Sequence, residues 1–84
     1  MKKIIHIIDV QPFDVVCEFN NGEVRKINFN EWVKEFENSK NGWTSKLAQP
    51  AFFNSVKLAS YGTLLWENDI DFDPEVLYEM SVPA

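Results

Sequence analysis

The hydrophobic positions of this chain change period several times, and each change marks an element. Ile4–Val10 is apolar and rich in β-branched residues, which predicts a strand, and Gln11-Pro12 interrupts it. Phe13, Val15, Cys17 and Phe19 then alternate with Asp14, Val16, Glu18 and Asn20, the period of two of a half-buried strand. Asn20-Asn21-Gly22 predicts a turn. A two-residue Asn21-Gly22 loop would set Cys17 opposite Lys26 and Val15 opposite Asn28. A three-residue loop with Gly22 in the left-handed region sets Val15 opposite Ile27 and Phe13 opposite Phe29. The second keeps more apolar residues on one face and is the expected register, with Glu23–Phe29 as the second arm.

A helical period follows. Asn28 with Glu31 resembles a capping box, Ile27 and Trp32 stand where a hydrophobic staple would place them, and Asn30 is a competing cap. Trp32, Val33 and Phe36 form the apolar stripe, with Glu31, Lys34, Glu35 and Glu37 toward water. Asn38–Gly42 is expected to be a loop, Leu47 to pack inward, and Pro50 to open one helical turn over Ala51–Phe53. Ser55–Ala59 and Thr63–Trp66 predict two strands joined through Ser60-Tyr61-Gly62. Asp73-Pro74 predicts the start of a last helix, because the carboxylate accepts free N–H groups and proline has no N–H to leave unpaired. Val76, Leu77 and Met80 are expected to face the core, and Ser81–Ala84 to fray. The sum is an α+β fold in a single domain spanning residues 1–84. It would be a mostly antiparallel sheet of about five strands, with two short helices and a helical turn on one face.

Composition narrows the picture. Apolar residues make up 45% of the 84, enough for a core, so disorder is a poor reading for the body of the chain. The single cysteine, Cys17, rules out an intrachain disulfide and suits a reducing, cytoplasmic setting. Lys2 and Lys3 do not open a signal peptide, and no apolar stretch approaches a membrane span. The net charge is -5, and its distribution matters more. Residues 1–57 hold eight bases and seven acids, whereas residues 58–84 hold six acids and no base. That end repels nucleic acid and attracts a basic protein or a cation.

Few constellations carry chemistry. Asp69-Ile70-Asp71-Phe72-Asp73 has the opening spacing of a calcium loop. Pro74 then stands where the turn needs glycine, and Met80 where the bidentate glutamate belongs. The plainer expectation turns Ile70 and Phe72 inward and the acids outward. Cys17 and His6 are the only thiol and imidazole, but Cys17 lies on the apolar face of its strand and no nucleophile motif flanks either. Three scattered glycines make no phosphate loop. Trp43, Trp66, Tyr61 and Phe53 offer stacking surfaces without a basic groove, so they are read first as core. No cofactor motif is present. The open sheet has edges that a partner strand, from another protein or a second copy, could extend.

Trp66, Asn68, Asp71, Pro74, Leu77 and Tyr78 form a motif that resembles the closing motif of the DUF2442 family of small bacterial proteins of unknown function. Leu47, Pro50 and Phe53, and the Phe19–Glu23 turn, are similar to the family's earlier motifs, so the resemblance covers nearly the whole chain. Asp69 stands where the family usually has glycine. The resemblance implies a small α+β domain without established activity. It also implies a genomic setting beside small proteins of toxin–antitoxin type. Some relatives carry a helix-turn-helix domain, which this chain lacks.

These readings together point to a non-enzymatic protein-interaction or regulatory module, an acidic partner of a small toxin-like protein. Trp66, Asn68, Asp69, Asp71 and Tyr78 are the candidate recognition surface. The alternative is a small-ligand or divalent-cation site on the Asn68–Asp73 loop.

Overall fold

Alternation along residues 14–19 builds the centre of a sheet. The computed structural model is described for residues 1–38, 40, 45–67 and 70–84. In chain order the elements are β1 (Ile4–Gln11), β2 (Asp14–Phe19), β3 (Val24–Asn28), α1 (Asn30–Asn38), a 3-10 turn (Lys46–Ala48), α2 (Pro50–Phe53), β4 (Lys57–Leu58), β5 (Leu64–Leu65), α3 (Pro74–Met80) and β6 (Val82–Pro83). The fold is α+β and mostly antiparallel. Its main sheet has four strands in the order β1-β2-β3-β6, and β4 and β5 form a separate hairpin.

The β2–β3 register is the one that keeps apolar residues together. Val15 stands opposite Ile27, and the Phe29 N–H donates to the Phe13 carbonyl at 2.7 Å. Three residues form the loop: the Phe19 N–H donates to the Glu23 carbonyl at 2.9 Å, and Gly22 has φ +85°. Val15, Cys17, Phe19, Ile27 and Phe29 are all fully buried. Each such side chain stabilises the fold by about 1.5–3 kcal/mol. The other turn, Pro12-Phe13, joins β1 to β2 with Phe13 at φ +73°, a position that favours glycine. Phe13 is held there by its carbonyl bond to Phe29 and by its ring, 5.4 Å from that of Phe53.

Aromatic rings fill the space over the sheet. Phe29 meets Trp32, Phe53, Trp66 and Phe72 at centroid distances of 5.4–6.1 Å, so α1, α2 and the segment before α3 converge on one ring. Leu47, the middle residue of the 3-10 turn, is buried, and Pro50 opens α2 as its first residue. The side chain of Phe36 lies outside the described residues, as do Ser39, Asn41, Gly42 and Trp43.

Four expectations need correction. A single sheet of about five strands gives way to four strands plus a two-stranded hairpin, because the segments around β4 and β5 are short. The Ser55 and Val56 N–H groups turn back to the carbonyls of Phe52 and Phe53, and Trp66 N–H goes to Ile70, so these residues leave the ladder. Second, the tail does not fray: Val82 stands opposite Lys26, and the Ala84 N–H donates to the Val24 carbonyl at 3.1 Å. Third, Val76 is 45% exposed, while Leu77 is buried. Fourth, the Asn28 carboxamide accepts from the Asn30 N–H at 2.8 Å, not from Glu31 as a capping box would have it.

Candidate functional site

The acidic C-terminal segment folds around a cleft of about 450 Å³ between the β4–β5 turn and the start of α3. Local rules place its walls. Asp73 caps α3, its Oδ1 accepting from the Glu75 N–H at 2.8 Å, and Pro74 follows as the first helical residue. Gly62, at φ +86°, turns the chain so that Tyr61 projects and Thr63 is buried. The Thr63 hydroxyl donates to the Phe72 carbonyl at 2.5 Å, and Asp71 forms a bridge with Leu65. These two ties hold the acidic segment against β5.

Tyr61, 53% exposed, donates its hydroxyl to Asp71 Oδ2 at 2.6 Å. Glu75 Oε1 accepts from the Lys2 backbone N–H at 2.5 Å. Asp71, Asp73 and Glu75 therefore each hold one partner and keep further acceptor capacity toward the cleft. Its apolar surface comes from Met1, Phe72 and Pro74. Carboxylates beside apolar surface are the chemistry that suits a cationic head on an aliphatic stem.

Of the candidate recognition residues, Asp71 lines this cleft. Asn68 and Asp69 lie outside the described residues. Trp66 is 1% exposed and donates its indole N–H to the Phe53 carbonyl at 3.0 Å, so it presents no surface to a partner. Ile70 and Phe72 pack against the core while Asp71 and Asp73 are exposed, as the plainer expectation had it.

Tyr78 stands elsewhere, in a network joining α3 to the β2–β3 hairpin. Its hydroxyl donates to Glu23 Oε2. Its ring lies edge-on to Phe19 at 5.1 Å, with Arg25 Cζ at 4.5 Å and Lys2 Nζ at 4.8 Å from its centroid. Arg25 reaches on to Ser81, donating to Oγ at 2.6 Å and to the carbonyl at 2.9 Å. The Tyr78 and Asn21 hydrogen bonds hold the Glu23 carboxyl below its usual range, and the Arg25 guanidinium adds to the effect. Glu23, Arg25 and Ser81 were not among the candidates, and no short-range signal marks residues more than fifty positions apart.

Cys17 and His6 are not brought together. Cys17 is fully buried on the inner face, where burial pushes its thiol up to about 12. His6 is exposed and lies 3.2 Å from Glu18 on the outer face. Among the described residues, no three histidine, cysteine or acidic side chains converge as a metal site. No described helix is long and apolar enough to cross a membrane.

No curated protein and no solved structure matches the chain. The family described as "Protein of unknown function (DUF2442)" matches residues 7–83, which takes in the aromatic core, the hairpin network and most of the cleft. The chain is therefore a member of the DUF2442 family.

Proposed function

We propose that this protein is a non-enzymatic interaction module whose acidic cleft receives a lysine or arginine of a small basic partner protein, of the toxin-like class, in a reducing cytoplasmic setting. The observation that carries the reading is the union of Asp71, Asp73 and Glu75 with exposed Tyr61 at one cleft. Residues 58–84 carry six acids and no Lys or Arg, so the field of the acidic segment favours a cationic partner. The incoming stem lies along Phe72 and Pro74, and its charged head meets Asp71 and Asp73.

Affinity capture from cells that make the protein naturally tests this, with wild type and an Asp71→Asn/Asp73→Ser double variant as baits. Serine retains an N-cap oxygen at residue 73 while removing the charge. The expected result is a basic protein held by the wild type, released as salt rises, and retained several-fold less by the variant. Equal retention by both baits, or capture of acidic proteins only, would defeat the reading.

A further inference from the structure

The sheet order leaves β1 and β6 as its two edge strands. The β1 edge is irregular. It slips twice against β2, with Ile5 and Ile8 as the extra residues, which breaks the even row of N–H and C=O groups that a further strand would pair with. The Ile4 N–H at its start is bonded to the Gly62 carbonyl at 2.8 Å. At the other edge, β6 covers β3 with only two residues, Val82–Pro83. Val82 stands opposite Lys26, and the Ala84 N–H donates to the Val24 carbonyl at 3.1 Å. Groups that face the partner strand alternate along an antiparallel pair, so Pro83, between those two residues, turns its nitrogen away from β3. Where a further strand would look for a donor, there is a proline ring and no N–H.

A strand this short gains little from pairing alone. Arg25 holds it in place. Its guanidinium lies 4.5 Å from the centroid of the Tyr78 ring and donates to the Ser81 hydroxyl at 2.6 Å and to the Ser81 carbonyl at 2.9 Å. The Arg25 side chain is 14% exposed and Ser81 5%, so these charge-assisted bonds form largely out of water, where they are strongest. The Ser81 N–H and hydroxyl both donate to the Tyr78 carbonyl, which fixes Ser81 as the point from which Val82 enters the sheet.

We infer that Ser81–Ala84 is a strap that closes the β3 edge against strand pairing, with Arg25 as its latch. Arg25 is a positioning residue here, acting through Ser81. With the strap latched, neither side of the sheet offers a regular edge, and the strand addition expected of an open sheet is blocked. With the strap released, the Val24 carbonyl and the backbone groups of Lys26 lose their partners and stand free for another strand. Neither the strap nor Arg25 lines the acidic cleft, so this proposal and the proposed function stand or fall separately.

Amide hydrogen exchange and sedimentation of the full chain test the inference. In the wild type, the Lys26 and Ala84 amides, at the β3–β6 seam, should exchange together and faster than those of Cys17 and Ile27, in the β2–β3 pairing. Arg25→Met keeps an apolar stem over Tyr78 and loses both bonds to Ser81. It should raise exchange at Lys26 and Ala84 about tenfold or more and leave Cys17 and Ile27 within about twofold. Arg25→Lys, which keeps the charge without the planar fork, should fall between. In a pure solution the only strand available to the open edge is another copy's, so Arg25→Met should self-associate at millimolar concentration and more strongly than the wild type. Unchanged exchange at Lys26 in Arg25→Met, or acceleration as large at Ile27 as at Lys26, overturns the latch. A released variant that stays monomeric, or a wild type that associates as strongly, overturns the strap. Equal exchange at all four amides of the wild type overturns it without any variant.

Discussion

The Tyr78 hydroxyl donates its hydrogen bond to the Glu23 carboxylate, joining α3 to the β2–β3 hairpin across 55 positions of sequence. Asp71, which shares the family motif with Tyr78, is bonded by Tyr61 instead. Two residues that read as one recognition unit therefore serve different places: one fastens the last helix, and the other lines the cleft.

Tyr78→Phe tests the fastening through pH. The Glu23 pKa is lowered in the folded chain, so its contribution is present above the unfolded carboxylate value and is lost as pH falls through the folded value. Without the phenol, the folded value moves up toward the unfolded one, and that contribution shrinks. The variant should be less stable at neutral pH, and the gap from wild type should narrow below pH ~4. Urea titrations across this range read it; a gap that is constant with pH would detach Tyr78 from Glu23.

Trp66→Phe tests the core anchor. The change removes the indole N–H bond to the Phe53 carbonyl and opens space beside Phe29 and Phe72. The cost should be about 2–3 kcal/mol, which lowers the melting temperature by roughly 10–20 °C in a domain of this size. Calorimetry would contradict the assignment by showing a loss below ~1 kcal/mol.

Gly22→Ala and Gly62→Ala separate backbone strain from crowding. Both glycines have positive φ, +85° and +86°. An added Cβ at Gly22 meets nothing within 4 Å, so the cost is the left-handed backbone alone, about 1–2 kcal/mol. At Gly62 it would also stand 2.8 Å from Lys3 Cβ, which cannot swing away as a side-chain tip can. Gly62→Ala should therefore be the more destabilising, and equal midpoints in denaturant would contradict this.

Cys17 should be silent in the folded protein. With its pKa raised to about 12 and no solvent exposure, it should react with a disulfide reagent at pH 8 only through opening of the fold, at a rate that climbs with denaturant. The sign for stability follows: a raised folded pKa means stability is full below the unfolded value, near 9, and declines as pH rises toward 12. Cys17→Ser should flatten that decline. Rapid labelling without denaturant would place the thiol at the surface.

Alternation from Phe13 to Phe19 was enough to identify the central strand, and the turn chemistry of Asn20-Asn21-Gly22 its register, because a slip of one residue would turn Ile27 and Phe29 to water. Asp73-Pro74 likewise announced α3, since capping needs only neighbours in sequence. Periodicity and capping are local, so the sequence alone determined the α+β class, the hairpin and the starts of α2 and α3. The tertiary structure decided the rest. Ser81–Ala84 reads as a loose end until Arg25 and β3 hold it, and Tyr78 reads as surface until Glu23 is beside it. Asp71 and Asp73 form a cleft only because Thr63 and Tyr61 arrive from another hairpin. Each of these contacts depends on where distant segments meet, and that is set by packing around Phe29 and Trp66 rather than by any neighbour along the chain.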